Sequence, residues 1–222
     1  MKNILTSLLK IALPSRLAFA IPVCWLALSS IVPSASATAY VSAGSGLWAT
    51  TTTWTPNGTP GAADTVKIQS GNIVTNATAS QAVGVVTIDA GGTFTVAAAT
   101  TAGFVTNNGT LTIGTGTSAR TLTLTNNLVN NGTINGDTSQ QNVIAFGGTS
   151  RWLGSGDISG SKILVSVTAA KTVDISGLTT PLTFKSSGTL ASTISGTLIT
   201  GTQVINGNVT RPVRSRSPRG RL

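Results

Sequence analysis

Asn107-Asn108-Gly109-Thr110-Leu111-Thr112-Ile113, NNGTLTI, returns at residues 128–135 as LVNNGTIN, which places Asn107 and Asn130 23 residues apart. Asn-Gly between alternating residues is the strongest short signal of a hairpin turn. Glycine- and aspartate-rich repeats bind calcium, and a corner that recurs at a long stride marks a chain coiling about an axis. The calcium reading fails on its ligands, because Gly147-Gly148-Thr149 and Ala90-Gly91-Gly92 lack the following Asp that would supply carboxylate oxygens. The flanks favour the coil over the hairpin. Two Asn-Asn pairs, 126–127 and 130–131, leave only Leu128-Val129 between them, which suits one short side of a coil between two corners. Asn tolerates the left-handed backbone of a sharp corner, and Asn side chains stacked on successive turns can hydrogen-bond to one another.

Around this stretch, apolar residues alternate with Thr, Ser or Lys in short runs: TVKI (65–68), VVTI (85–88), TFTV (93–96), TLTI (110–113), TLTLT (121–125) and KILVSV (162–167). Period-2 alternation of β-branched residues gives strands with one buried face. Gly92-Thr93-Phe94, Gly109-Thr110-Leu111 and Gly132-Thr133-Ile134 follow at strides of 17 and 23, with later echoes at Gly188-Thr189-Leu190 and Gly196-Thr197-Leu198. A unit of that length cannot bury its own apolar side, so it must stack. The expected fold is therefore all-β, a right-handed parallel β-helix (β-solenoid) with repeats over residues 81–207. The right hand follows the rule for parallel crossovers. A sandwich of hairpins is the alternative.

Lys2, Lys10 and Arg16 precede the apolar run Leu17–Val32, and PSASATA follows with small-residue cleavage positions after Ala37 or Ala39. Residues 1–37 thus read as a secretory signal peptide, helical in its apolar run, and the run is short for a membrane span. The one cysteine, Cys24, lies inside it, so the mature chain is expected to have no disulfide. The formal charge of +9 is concentrated at the two ends. Residues 38–210 hold six cations (Lys67, Arg120, Arg151, Lys162, Lys171, Lys185) against five aspartates, a net +1 that offers no footprint for nucleic acid. Residues 208–222 form an expected basic, disordered tail. From Arg211 on, RPVRSRSPRGRL reads either as a solvated tail that blocks the last edge or as the product of a truncated or shifted reading frame.

Residues 43–75 combine Gly46-x-Trp48, Trp54, Pro60-Gly61, Asp64-x-Val66-x-Ile68, Gly71 and Val74. This segment resembles the opening of bacterial secreted β-helix surface proteins, adhesin-like and autotransporter passenger chains among them, and is similar to a G8-type start. The resemblance implies a parallel β-helix at the cell exterior. On residue chemistry alone, Trp48 and Trp54 suit an end cap over residues 38–80, which include the first coil. An aromatic platform for sugars is the sharper alternative.

The chain has no His and no Glu, which removes the common triads and zinc sets. Asp137, Asp157 and Asp174 follow at strides of 20 and 17, close to the repeat, so two of them stacked on adjacent turns would suit a glycosidase pair. Their contexts, NGDTS, GSGDISG and TVDISG, are better suited to turn-capping aspartates. The triplets NGT at 57, 108 and 131, NAT at 76 and NVT at 208 read as turn chemistry rather than glycosylation sites. Arg151-Trp152 reads as a packing Trp, with a cation–π spot as the alternative. The expectation is an exported, non-enzymatic adhesin or stalk with no catalytic, cofactor or metal residues. Its expected partners are host or matrix glycans or other surface proteins, with no nucleic acid, and membrane contact only through the signal. A β-helix polysaccharide lyase or glycoside hydrolase is the rival.

Overall fold

The computed structural model describes residues 36–78, 80–115, 118–136, 142–156, 164–167 and 171–177, and the backbone alone of 157–158, 163, 183–184, 192–194, 197–199, 206–207 and 209–210. Residues 1–35 of the expected signal peptide, Asp137 and the basic stretch from Arg211 lie outside these residues. The chain opens with β1 (Ala39–Ser42), β2 (Gly46–Leu47), a 3-10 turn at Thr51–Thr53 and β3 (Trp54–Thr55). There follow β4 (Thr65–Ile68), β5 (Ile73–Asn76), β6 (Gln81–Ile88), β7 (Thr93–Val96), β8 (Thr100–Asn107) and β9 (Thr110–Ile113). Next are β10 (Thr121–Leu124), β11 (Leu128–Asn130), β12 (Thr133–Gly136), β13 (Asn142–Phe146), β14 (Ser150–Leu153) and β15 (Asp157–Ile158). Last come β16 (Ile163–Val167), β17 (Thr172–Asp174), β18 (Thr183–Phe184), β19 (Ser192–Ile194), β20 (Thr197–Ile199), β21 (Asn206–Gly207) and β22 (Val209–Thr210).

Every one of these pairings except β1 with β3 is parallel, and each joins a strand to its counterpart one coil away, so the chain is a parallel β-solenoid with three faces. The first face stacks the leading halves of β6 and β8 with β10, β13, β16, β19 and β22. The second stacks β1, β4, the trailing halves of β6 and β8, β11, β14, β17 and β20. The third stacks β2, β5, β7, β9, β12 and β15. Strand pairing thus continues through Thr210, where the alternation in the sequence stops.

The alternation decides which side chains enter the coil. In β9 and β10 each Thr faces out and each Leu or Ile faces in. Register then builds apolar columns: Val66, Val86, Val105, Leu128 and Trp152 on the second face, and Val74, Phe94, Leu111 and Ile134 on the third. All are buried in one continuous core. At about 1.5–3 kcal/mol per buried side chain, stacked columns of this kind supply most of what holds disulfide-free coils together.

The corners carry the polar chemistry. Asn107 and Asn130 are in register and buried, and Asn107 Nδ2 donates to Asn130 Oδ1 at 2.7 Å and to the Thr133 carbonyl at 3.0 Å. The Asn107 carbonyl also accepts the backbone N–H groups of Asn131 (2.7 Å) and Gly132 (2.9 Å). Outside this pair a second rung forms, with Asn131 Nδ2 donating to Asn108 Oδ1 at 2.9 Å. β11 is the short side between two Asn-Asn corners that the sequence suggests.

The Gly-Thr motif has a steric origin. A Cβ built on Gly109 would collide with the Gly92 carbonyl, one on Gly132 with that of Gly109, and one on Gly156 with that of Gly132. This column lets the backbone of each coil approach its neighbour closely where the chain enters the third face. The following Thr then donates its N–H to the coil before it, as Thr133 does to Gly109 O at 2.9 Å.

The amino-terminal end is closed by the chain itself. β3 lies antiparallel on the free edge of β1, while β4 holds its other edge. Trp48 and Trp54 pack edge to face with centroids 5.1 Å apart, and Trp48 lies 5.4 Å from Phe94. Their indole N–H groups are both satisfied, Trp54 by the Trp48 carbonyl at 2.8 Å and Trp48 by the Pro60 carbonyl at 3.3 Å. Asp64 ties the segment down by accepting from the N–H groups of Thr38 and Gly61, each at 2.7 Å.

Candidate functional site

A solenoid offers ligands its outward side chains, and the third face is the most regular surface. β5, β7, β9 and β12 are each four residues long and lie in unbroken register. Inward residues Val74, Phe94, Leu111 and Ile134 fix the alternation, so the residues on either side of each must face out. The two outward columns are Ile73, Thr93, Thr110, Thr133 and Thr75, Thr95, Thr112, Asn135. Among the described residues, no protein group hydrogen-bonds the hydroxyls of Thr75, Thr93, Thr95, Thr110, Thr112 or Thr133. Elsewhere threonine hydroxyls do bond to carbonyls, as Thr53 does to Leu47 at 2.9 Å and Thr100 to Ala98 at 3.1 Å. The alternating runs TFTV and TLTI make each strand of this face legible in the sequence. The two-column threonine grid was not singled out there, although Thr-x-Thr at 93/95 and 110/112 is its signal.

The aspartates do not assemble. Asp157 is on the third face, in register with Thr133, whereas Asp174 is on the second, in register with Arg151. Asp157 and Asp174 thus do not stack on adjacent turns, as the glycosidase alternative would require, and Asp137 lies outside the described residues. The failure is one of stride: 17 residues separate the two, while the coil between them advances by 23 from Ser150 to Val173. Asp174 acts as a turn cap. Its Oδ1 accepts from the Ser176 hydroxyl (2.6 Å) and N–H (2.9 Å), and its Oδ2 lies 3.7 Å from Arg151 Nε. The Ser176 hydroxyl first, then the Ser176 N–H, hold its carboxyl below the ordinary value; desolvation opposes them, and the Arg151 charge adds a smaller downward pull. Asp89 pairs with Lys67 at 3.2 Å across the surface, and Asp64 serves the backbone as described above. Among the described residues no three His, Cys, Asp or Glu side chains gather as a metal set would.

The described tryptophans are core, not platform. Trp48, Trp54 and Trp152 are each no more than 2% exposed, so none presents a ring face to a sugar. Trp152 packs on Phe146 with centroids 5.7 Å apart, which is the packing role expected for it, while Arg151 points outward to Asp174. Among the described residues no helix is long and apolar enough to cross a membrane. In comparisons with known proteins, the chain matches no family model, no curated protein and no solved structure.

Proposed function

We propose that this protein is an exported, non-enzymatic β-solenoid that acts at the cell surface or in the extracellular matrix as an adhesin or structural stalk, of the adhesin-like and passenger-like kind its opening segment resembles. The observation that carries the reading is the division of labour in the coil. Apolar columns and the Asn ladder are devoted to stacking, and the outward third face from β5 to β12 is a hydroxyl-bearing surface without charged residues, with Asp157 of β15 next in register after Thr133. Such a surface suits contact with matrix glycans or other surface proteins. Export is supported by the basic and apolar start of the chain and its small-residue cleavage positions. An epitope-tagged full chain, fractionated and treated with protease on intact cells, is expected outside the inner membrane and shorter by the signal. Retention in the cytoplasm at full length would overturn the export half of the reading. Release of new reducing ends from pectin- or chitin-type glycans would overturn the non-enzymatic half.

A further inference from the structure

We propose that the outward third face is an ice-binding surface, whose ligand is water held in a crystal lattice. This rests on and deepens the proposed reading of the coil as a presenter of outward faces by naming the ligand of one face. Four strands in register place Thr75, Thr93, Thr95, Thr110, Thr112 and Thr133 on a grid. Its repeats are about 4.8 Å from strand to strand and about 6.7 Å between alternate residues along a strand. These are the scale of the oxygen repeats on the prism faces of hexagonal ice, a ligand that presents the same two-dimensional lattice everywhere.

The chemistry of the grid fits that ligand. Each threonine contributes one hydroxyl and one methyl, and β-branching restricts χ1, so the grid is set before binding. The hydroxyls are not engaged by protein groups among the described residues. Thr95, at the centre of the grid, is the most recessed of the six, 8% exposed, while Thr75, Thr93, Thr110, Thr112 and Thr133 stand further out. Rows of methyls order the water between them, and rows of hydroxyls continue that order into hydrogen bonds. Charge would favour disordered hydration: β5, β7, β9 and β12 hold no charged residue, the Lys67–Asp89 and Arg151–Asp174 pairs belong to the second face and its corner, and Asp157 follows Thr133 in register at the margin of the grid. None of Trp48, Trp54 and Trp152 offers a ring face for sugar stacking, since all three are buried.

The test is uptake of the purified protein into a slowly growing ice hemisphere, with ice-crystal shape followed under a nanolitre osmometer. The folded protein is expected to enrich in the ice and to facet the crystals, holding them without growth below their melting point. Thr95→Lys and Thr112→Lys should each lose most of the uptake, whereas Thr106→Lys, outward on the second face, should keep it. Circular dichroism and Tm establish which variants are folded; should Thr95→Lys fail to fold, the more exposed Thr112→Lys carries the comparison. Exclusion of the folded wild-type protein from ice, uptake unchanged in folded Thr112→Lys, or binding to chitin or cellulose without binding to ice would each overturn the proposal. Cell fractionation is a separate readout, so a surface-located protein excluded from ice would refute the ice ligand alone.

Discussion

Replacing Asn107 with Ala tests whether the Asn ladder binds one coil to the next. The variant removes a fully buried side chain that donates to the Asn130 side chain at 2.7 Å and to the Thr133 carbonyl at 3.0 Å. A buried acceptor deprived of its donor costs about 1–3 kcal/mol. The void adds on the order of another 1 kcal/mol. Part of this is offset, because Asn107 Oδ1 is itself buried without a donor and disappears with the side chain. The net expectation is a loss of about 2–3 kcal/mol, read as a lower urea midpoint in far-UV circular dichroism. Asn107→Asp sharpens the test, since it keeps the shape and reverses the polarity toward Asn130 Oδ1. Burial raises that carboxyl above its unfolded value of about 3.9, so the variant should be least impaired at acid pH and lose stability as pH rises through about 4. A cycle with Asn130→Ala should return a coupling of about 1 kcal/mol. If Asn107→Ala lies within about 0.5 kcal/mol of wild type, or the two substitutions simply add, the ladder is not what joins these coils.

Three further outcomes follow from the same geometry. Gly132→Ala, whose Cβ would strike the Gly109 carbonyl, should cost about 1–3 kcal/mol in urea melts; a neutral result would show that the coils are further apart than described. Trp54→Ala, at a fully buried cap position against Trp48, should cost about 3–5 kcal/mol and raise light scattering on heating as the β1 edge loosens; an unchanged Tm would refute the cap. The Asp174 carboxyl should titrate by NMR below the ordinary aspartate range, and Ser176→Ala should raise it more than Arg151→Gln, because the Ser176 hydroxyl holds the carboxylate more strongly than the Arg151 charge does. Because its folded value is depressed, its contribution is complete above the unfolded value and is lost only as pH falls through the folded one.

The coil was largely legible because its signals are local. TVKI, TFTV and TLTI coincide with β4, β7 and β9, and the Gly-Thr echoes at strides of 17 and 23 are the register of the third face. Two features were not legible. Gln81–Val83 and Thr100–Ala102 lie outside the alternating runs and precede Gly84 and Gly103, yet β6 and β8 pass through these glycines as continuous strands. What Gly103 meets is the carbonyl of Gly84 on the neighbouring coil, a contact between distant residues that no local pattern announces. The suggested stacking of Asp157 with Asp174 failed for a related reason. The stride changes from coil to coil, so a spacing near the average repeat does not bring two residues together. The threonine grid lay between these cases, its rows visible in each strand and its columns visible only once register was known.

The central claim, parallel coils in this register, is tested most directly by nuclear Overhauser contacts in the isotopically labelled protein. The account predicts side-chain contacts from Phe94 to Leu111 and from Leu111 to Ile134, with Hα-to-amide cross-peaks between β7, β9 and β12. Strong Hα-to-Hα cross-peaks joining consecutive strands such as β9 and β10 would mean antiparallel hairpins, and would contradict it.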